Sequence, residues 1–115
     1  MATNKEYLNF ILDQLSGIDS ITAKQMMGEY IIYHNGKISA YLCDNRLLVK
    51  PVPSAIKMLP DAKMEPPYDG AKEMMLVDKV EDRDFLTELF NAMYDELSMP
   101  RKKKWNAVRI RNLNW

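Results

Sequence analysis

The sequence predicts an α+β domain: an antiparallel sheet of about five strands, with two long amphipathic helices and one short helix packed on it. Three observations carry this. Apolar residues recur at helical spacing near the start of the chain, at Leu8, Ile11, Leu12 and Leu15, and again from Phe85 to Leu97. Between these stretches, Asn35-Gly36 and Asp44-Asn45 interrupt alternating apolar runs as hairpin turns do. The strands come as a run rather than one by one between helices, which is the order of an α+β fold and not of a parallel sheet.

The first helix is predicted from about Asn4 to Ser16. Thr3-Asn4-Lys5-Glu6 fits a capping box, with Thr3 accepting from the Glu6 amide. Tyr7 lies beside the apolar stripe, and Gly17 stands where a left-handed C-terminal cap is wanted. Ile21 to Met27 reads as a first strand of weak alternation, and Gly28-Glu29 permits a reversal.

The stretch GEYIIYHNGKISAYLCDNRLLVK follows, and its two turns set a register. With a two-residue loop at Asn35-Gly36, His34 lies opposite Lys37, Tyr33 opposite Ile38, Ile31 opposite Ala40 and Tyr30 opposite Tyr41. With the same loop at Asp44-Asn45, Leu42 faces Leu47 and Ala40 faces Val49. One face then carries Ile31, Tyr33, Ile38, Ala40, Leu42, Leu47 and Val49, which is a core face. The other carries Tyr30, Ile32, His34, Lys37, Ser39, Tyr41, Cys43, Arg46, Leu48 and Lys50, a mixture that suits a half-exposed sheet.

Pro51 and Pro53 end this run, and Ser54 to Leu59 reads as a short helix. Pro60 to Lys72 reads as a loop, punctuated by Pro66, Pro67 and Gly70. Glu73 to Asp78 is one more strand. Asp82 is placed to cap the last helix, whose stripe is Phe85, Leu86, Leu89, Phe90, Met93, Tyr94 and Leu97. Pro100 marks its end. The division is a domain over 1–99 and a basic, Trp-containing tail over 100–115.

A chain of 115 residues is one domain's length, enough to bury roughly two thirds of its surface without staples. A single cysteine cannot form an internal disulfide, so no oxidising compartment is implied. Lys5, Glu6 and Asp13 break up the apolar residues of the N-terminus, so no signal peptide or membrane span is expected, and a cytoplasmic location is. The formal charge of zero hides a split. Residues 98–115 hold six of the 16 cations and none of the 16 acids, which leaves the body near −6 and the tail near +6.

Few constellations for chemistry exist. His34 and Cys43 are the only histidine and cysteine. In the register above they share a face but are separated by six strand residues, about 20 Å, whereas a thiolate–imidazole pair needs contact. Two such residues do not build a zinc or iron site. Asp78, Glu81, Asp82 and Asp84 cluster near a helix start, where acids favour the helix dipole. The glycines are isolated and form no phosphate loop, and no Gly-x-Ser-x-Gly elbow occurs. Met26-Met27, Met58, Met64 and Met74-Met75 either line an adaptable groove or fill the core. An enzyme would need a site in Glu65–Gly70, where Tyr68 and Asp69 are the polar pair. No enzyme activity, cofactor or metal is expected.

The tail, RKKKWNAVRIRNLNW, mixes Arg101, Lys102, Lys103, Lys104, Arg109 and Arg111 with Trp105 and Trp115. Cations for phosphates and rings for exposed bases suit nucleic acid. A solvated tail, or one folded back on the acidic body, is the competing reading. Val108 and Ile110 alternate with Arg109 and Arg111 as in an edge strand.

MMGEYIIYHNGKISAYLCDNRLLVK, then PPYDGAKEMMLVD, then DRDFLTELF, resembles the TfoX N-terminal domain family over roughly residues 5 to 97. The matching positions are Met26, Gly28, Tyr30, Tyr33, Gly36, Pro67, Tyr68 and Gly70. These are turn glycines and sheet aromatics, so they mark a fold rather than a reaction. The resemblance implies a non-catalytic regulatory module. Longer members, TfoX or Sxy, regulate natural competence with the CRP activator and carry a second, C-terminal domain, for which 115 residues leave no room. Two functions follow as expectations. The first is a module binding a protein partner through Tyr30, Ile32, Tyr41 and Leu48. The resemblance suggests transcriptional machinery as that partner, and the same face could pair two copies as a homodimer. The second is a nucleic-acid-binding accessory protein acting through Lys102, Lys103, Lys104, Trp105, Arg109 and Arg111.

Overall fold

The computed structural model describes residues 3–26 and 28–98. Its elements run α1 (Lys5–Gln14), β1 (Ile21–Met26), β2 (Glu29–His34), β3 (Lys37–Cys43), β4 (Arg46–Val49), α2 (Pro53–Met58), β5 (Met64–Glu65), β6 (Met74–Val77) and α3 (Arg83–Tyr94). The fold is α+β, with one six-stranded sheet in the order β1-β2-β3-β4-β6-β5 and antiparallel pairing throughout. The strand beyond the expected five is β5, two residues long, which pairs with β6 from inside the predicted proline-rich loop.

Both hairpin turns form as predicted. Asn35, Gly36, Asp44 and Asn45 all have positive φ, between 52° and 84°, as two-residue hairpin loops require. The predicted β3–β4 register holds, with Leu42 opposite Leu47 and Ala40 opposite Val49, whereas the β2–β3 register holds only for the two pairs next to the turn. Tyr33 lies opposite Ile38, but the next pair inward is Ile32 with Ala40, so Ser39 is an extra residue in β3. This β-bulge reverses the faces of β2 relative to a regular ladder. Tyr30 and Ile32 pair with Leu42 and Ala40 and join the core, while Ile31 pairs with Tyr41 on the other side.

All three helices cover one face of the sheet. Leu8, Ile11 and Leu15 from the α1 segment and Leu86, Leu89, Phe90 and Met93 from α3 pack on Tyr30, Ile32, Ala40, Leu42, Leu47 and Val49. Phe90 and Ile11 are fully buried. Each such side chain contributes about 1.5–3 kcal/mol relative to exposure.

Local chemistry fixes the helix ends. Asn4, not Thr3, caps α1 by accepting from the Tyr7 N–H at 2.8 Å. Thr3 Oγ1 instead accepts from the Asn45 N–H at 3.2 Å, and the Asn4 N–H donates to Asn45 Oδ1 at 3.1 Å. The start of α1 is thereby tied to the β3–β4 turn. Gly17 does not take a left-handed φ; the helix closes through tight turns, with Ser16 N–H to the Asp13 carbonyl and Ile18 N–H to the Leu15 carbonyl. The short helix starts at Pro53, one residue before the predicted Ser54, because proline suits the first helical position. Glu96 caps it from outside, accepting from Ser54 N–H at 2.9 Å and Ser54 Oγ at 2.8 Å. Asp82 caps α3 as predicted, accepting from the Phe85 N–H at 3.0 Å.

Candidate functional site

The described helices all lie on one side of the sheet; on the other side, which no described helix covers, Ile31, Cys43 and Leu48 are nonetheless buried. The bulge and the strand pairings align Ile31, Tyr41, Leu48 and Leu76 in a single cross-strand row over β2, β3, β4 and β6. Cys43, Leu48 and Met74 are buried on this side, with Tyr41 and Leu76 packed against them half-buried. The loop over 66–73 folds across this end of the face. Pro67 is its buried anchor, Gly70 turns it with φ +87°, and Tyr68 remains half exposed.

Between this loop and the sheet is a cleft of about 320 Å³, lined by Tyr41, Lys50, Pro51, Pro67, Tyr68, Ala71, Lys72, Glu73 and Met74. Its floor is apolar and its rim charged, as in protein-binding surfaces. Lys50 and Lys72 make no ion pair with the described residues. The Tyr41 phenol is held above its ordinary pKa, first by burial and then by Tyr68, Tyr33 and Cys43 close by. That places three tyrosines around one spot. At the far edge, Arg46 bridges the Glu65 carboxylate and reaches Asp44 at 3.7 Å.

The sequence-predicted partner residues do not share this surface. Tyr41 and Leu48 lie on that side of the sheet, directly opposite one another, but only Tyr41 is half-buried and Leu48 is fully buried. Tyr30 and Ile32 lie beneath the helices, 8% and 0% exposed, and this is a correction forced by the bulge. Tyr33, Leu76, Lys50 and Lys72 were not singled out as partner residues. A bulge leaves no local signature in the sequence, so only the Pro67-Tyr68 motif pointed towards the cleft.

His34 and Cys43 are on opposite faces rather than at two ends of one. His34 stacks on Tyr94 of α3 with ring centroids 4.6 Å apart, on the helix side. Its Nδ1 is buried without a hydrogen-bond partner among the described residues, and burial followed by Lys37 lowers its pKa. Lys37 also donates to the Tyr94 carbonyl at 3.2 Å and lies 4.2 Å over its ring. The Cys43 thiol is pushed up to about 12, first by burial and then by donating to Glu29. A thiol of that kind is a poor nucleophile at neutral pH.

Among the described residues no group of three His, Cys, Asp or Glu is placed to hold a metal ion. No described helix is long and apolar enough to cross a membrane. Of the methionines, Met74 and Met75 are buried and Met58 packs against the core, whereas Met26 and Met64 are exposed. The nucleic-acid residues proposed from sequence, Lys102, Lys103, Lys104, Trp105, Arg109 and Arg111, lie outside the described residues, as does Met27.

A helix-backed antiparallel sheet with an open aromatic face and a Pro-Tyr loop defines a small α+β module. The TfoX N-terminal domain model matches residues 13–96, and the chain belongs to that family. The family's glycines at 28, 36 and 70 all take positive φ, between 84° and 87°, so each serves as a turn residue. The chain is also 31% identical over 105 residues to an uncharacterised 12.7 kDa protein in the trpE 5′ region of Spirochaeta aurantia, covering 90% of this chain and 91% of that one. No solved structure matches it.

Proposed function

We propose that this TfoX-like module is non-catalytic and regulatory, and that it binds a protein partner in the cytoplasm through the open sheet face. The observation that supports this most is the cleft beside Tyr41 and Tyr68, where half-exposed aromatics stand between an apolar floor and two lysines that make no ion pair among the described residues. Aromatic side chains in such settings carry most of the binding energy at protein interfaces. Family likeness points to transcriptional machinery as the partner class. A second copy of the chain is the simplest partner of all.

Paired affinity capture tests the reading, using the wild type, Tyr68→Ala, Tyr41→Ala and Ile56→Ala. Ile56 is an exposed apolar residue of α2, in the helix layer, and serves as the control. The reading expects a protein retained by wild type and Ile56→Ala and lost by both tyrosine variants, with direct binding reproduced from purified components. Sedimentation of the chain alone reports the homodimer. Monomeric behaviour together with captured proteins indifferent to Tyr41 and Tyr68 overturns the reading.

A further inference from the structure

β1 forms one margin of the sheet, and no described strand pairs with its outer side. Its ladder with β2 is regular from Ile21–His34 to Met26–Glu29. The phase of that ladder follows from the bond at its end, where the Asn35 N–H donates to the Ser20 carbonyl at 2.7 Å. Bonded and non-bonded pairs alternate in an antiparallel ladder, so Thr22, Lys24 and Met26 turn their N–H and C=O groups towards β2. Ile21, Ala23 and Gln25 turn theirs outwards. The next hairpin agrees: His34, opposite Ile21, closes its two-residue turn with Lys37 and so spends its own backbone groups on β3. Side chains follow the same period. Ile21 and Ala23 pack against the core beneath the helices, while Thr22, Lys24 and Met26 are exposed.

An outward row of free donors and acceptors is a template for another strand, and proteins blunt such margins with proline, bulges or brevity. β1 has no proline and no bulge, and Lys24 is its single charge. The opposite margin, β5, is two residues long. We infer that β1 pairs antiparallel with β1 of a second copy of the chain, about a two-fold axis at Ala23. The strand is self-complementary in that register. Ala23 meets Ala23, Ile21 of one copy meets Gln25 of the other, and Thr22 meets Lys24. Every outward N–H then finds an outward C=O, the smallest side chain of the strand sits at the axis, and the two Lys24 ammonium groups do not stand opposite each other. The chain has a formal charge of zero, so two copies meet without net repulsion. The pairing is isologous and β5 is too short to extend it, so association closes at a dimer. The axis is normal to the sheet and keeps both helix layers on one side. The cleft at Tyr68 is built from β3 onwards with nothing from β1, so the pairing leaves it uncovered and does not depend on its role.

Sedimentation equilibrium of the full chain tests both the pairing and its register. A strand pair is a small interface, so the range to cover is about 1 µM to about 1 mM. The expected result is a reversible monomer–dimer equilibrium. Thr22→Glu sets a carboxylate opposite Lys24 of the other copy and should tighten the dimer at least threefold. Thr22→Lys sets like charges together and should weaken it at least threefold. Thr22 is exposed, so neither change disturbs the core. Ala23→Pro should abolish the dimer; its N–H points outwards, so the chain's own sheet loses no bond, and circular dichroism checks that the variant is folded. Tyr68→Ala should leave the dimer constant unchanged, which separates this edge from the open face. A monomer up to the highest concentration overturns the inference. So does a dimer indifferent to both Thr22 variants, a dimer lost with Tyr68→Ala, or assembly that grows past two copies.

Discussion

Tyr41 lies directly across from Leu48 on the side of the sheet that no described helix covers. Leu48 is fully buried there and Tyr41 is half exposed, so one residue anchors the surface and the other presents it. That division, repeated by Pro67 and Tyr68, is the feature on which the proposed binding surface rests.

The bulge residue carries an avoidable penalty. Ser39 is fully buried and its Oγ has no hydrogen-bond partner among the described residues. A buried unpaired hydroxyl costs about 1–3 kcal/mol. Ser39→Ala is expected to stabilise the fold by about 1 kcal/mol, read as a higher urea midpoint with unchanged slope.

The cap of the last helix should matter in the opposite sense. Asp82 is the side chain that accepts from the Phe85 N–H. Asp82→Ala is expected to destabilise by about 1 kcal/mol in urea unfolding. Asp82→Asn should recover most of the loss.

Cys43 should be inert in the folded state. Its thiol is raised from 9.0 to about 12, so thiolate is scarce at pH 8. Alkylation should be at least a hundredfold slower than in urea. Because the folded state holds this proton more tightly, the stability it confers is present below pH 9 and declines as pH rises from 9 towards 12. Equilibrium unfolding across that range should show the decline, and Cys43→Ala should flatten it.

His34 predicts a dependence at the other end of the scale. Its pKa is lowered from 6.5 by burial and by Lys37, so the unfolded chain binds the proton more readily. The associated stability is complete above 6.5 and is lost as pH falls through the lowered folded value. His34→Phe keeps the stack on Tyr94 without titrating. Its unfolding midpoint should fall less than the wild type's between about pH 7 and pH 5.

The parts of the fold written in local chemistry were legible. Asn35-Gly36 and Asp44-Asn45 turn where predicted because few other residues tolerate their φ values. Asp82 caps α3, and the spacing of Leu86, Leu89, Phe90 and Met93 gives its buried face. What was not legible depends on partners far along the chain. Thr3 is drawn away from its own helix by Asn45, a turn residue 42 positions on. Ser39 bulges without disturbing either turn, so the alternation on each strand still looks regular while the two strands slip by one. That slip moved Tyr30 and Ile32 into the core and hid the real composition of the open face. The two-residue β5 is too short to leave any periodic trace.

The most direct test of the open face as the binding surface is chemical-shift mapping by NMR, with the purified partner, or the chain itself at increasing concentration, as titrant. The account predicts shifts concentrated in the aromatic resonances of Tyr33, Tyr41 and Tyr68 and the methyls of Leu76, with Ile56 and Phe10 of the helix layer unmoved. Shifts gathered on Ile56 and Phe10, with the three tyrosines unchanged, would contradict it.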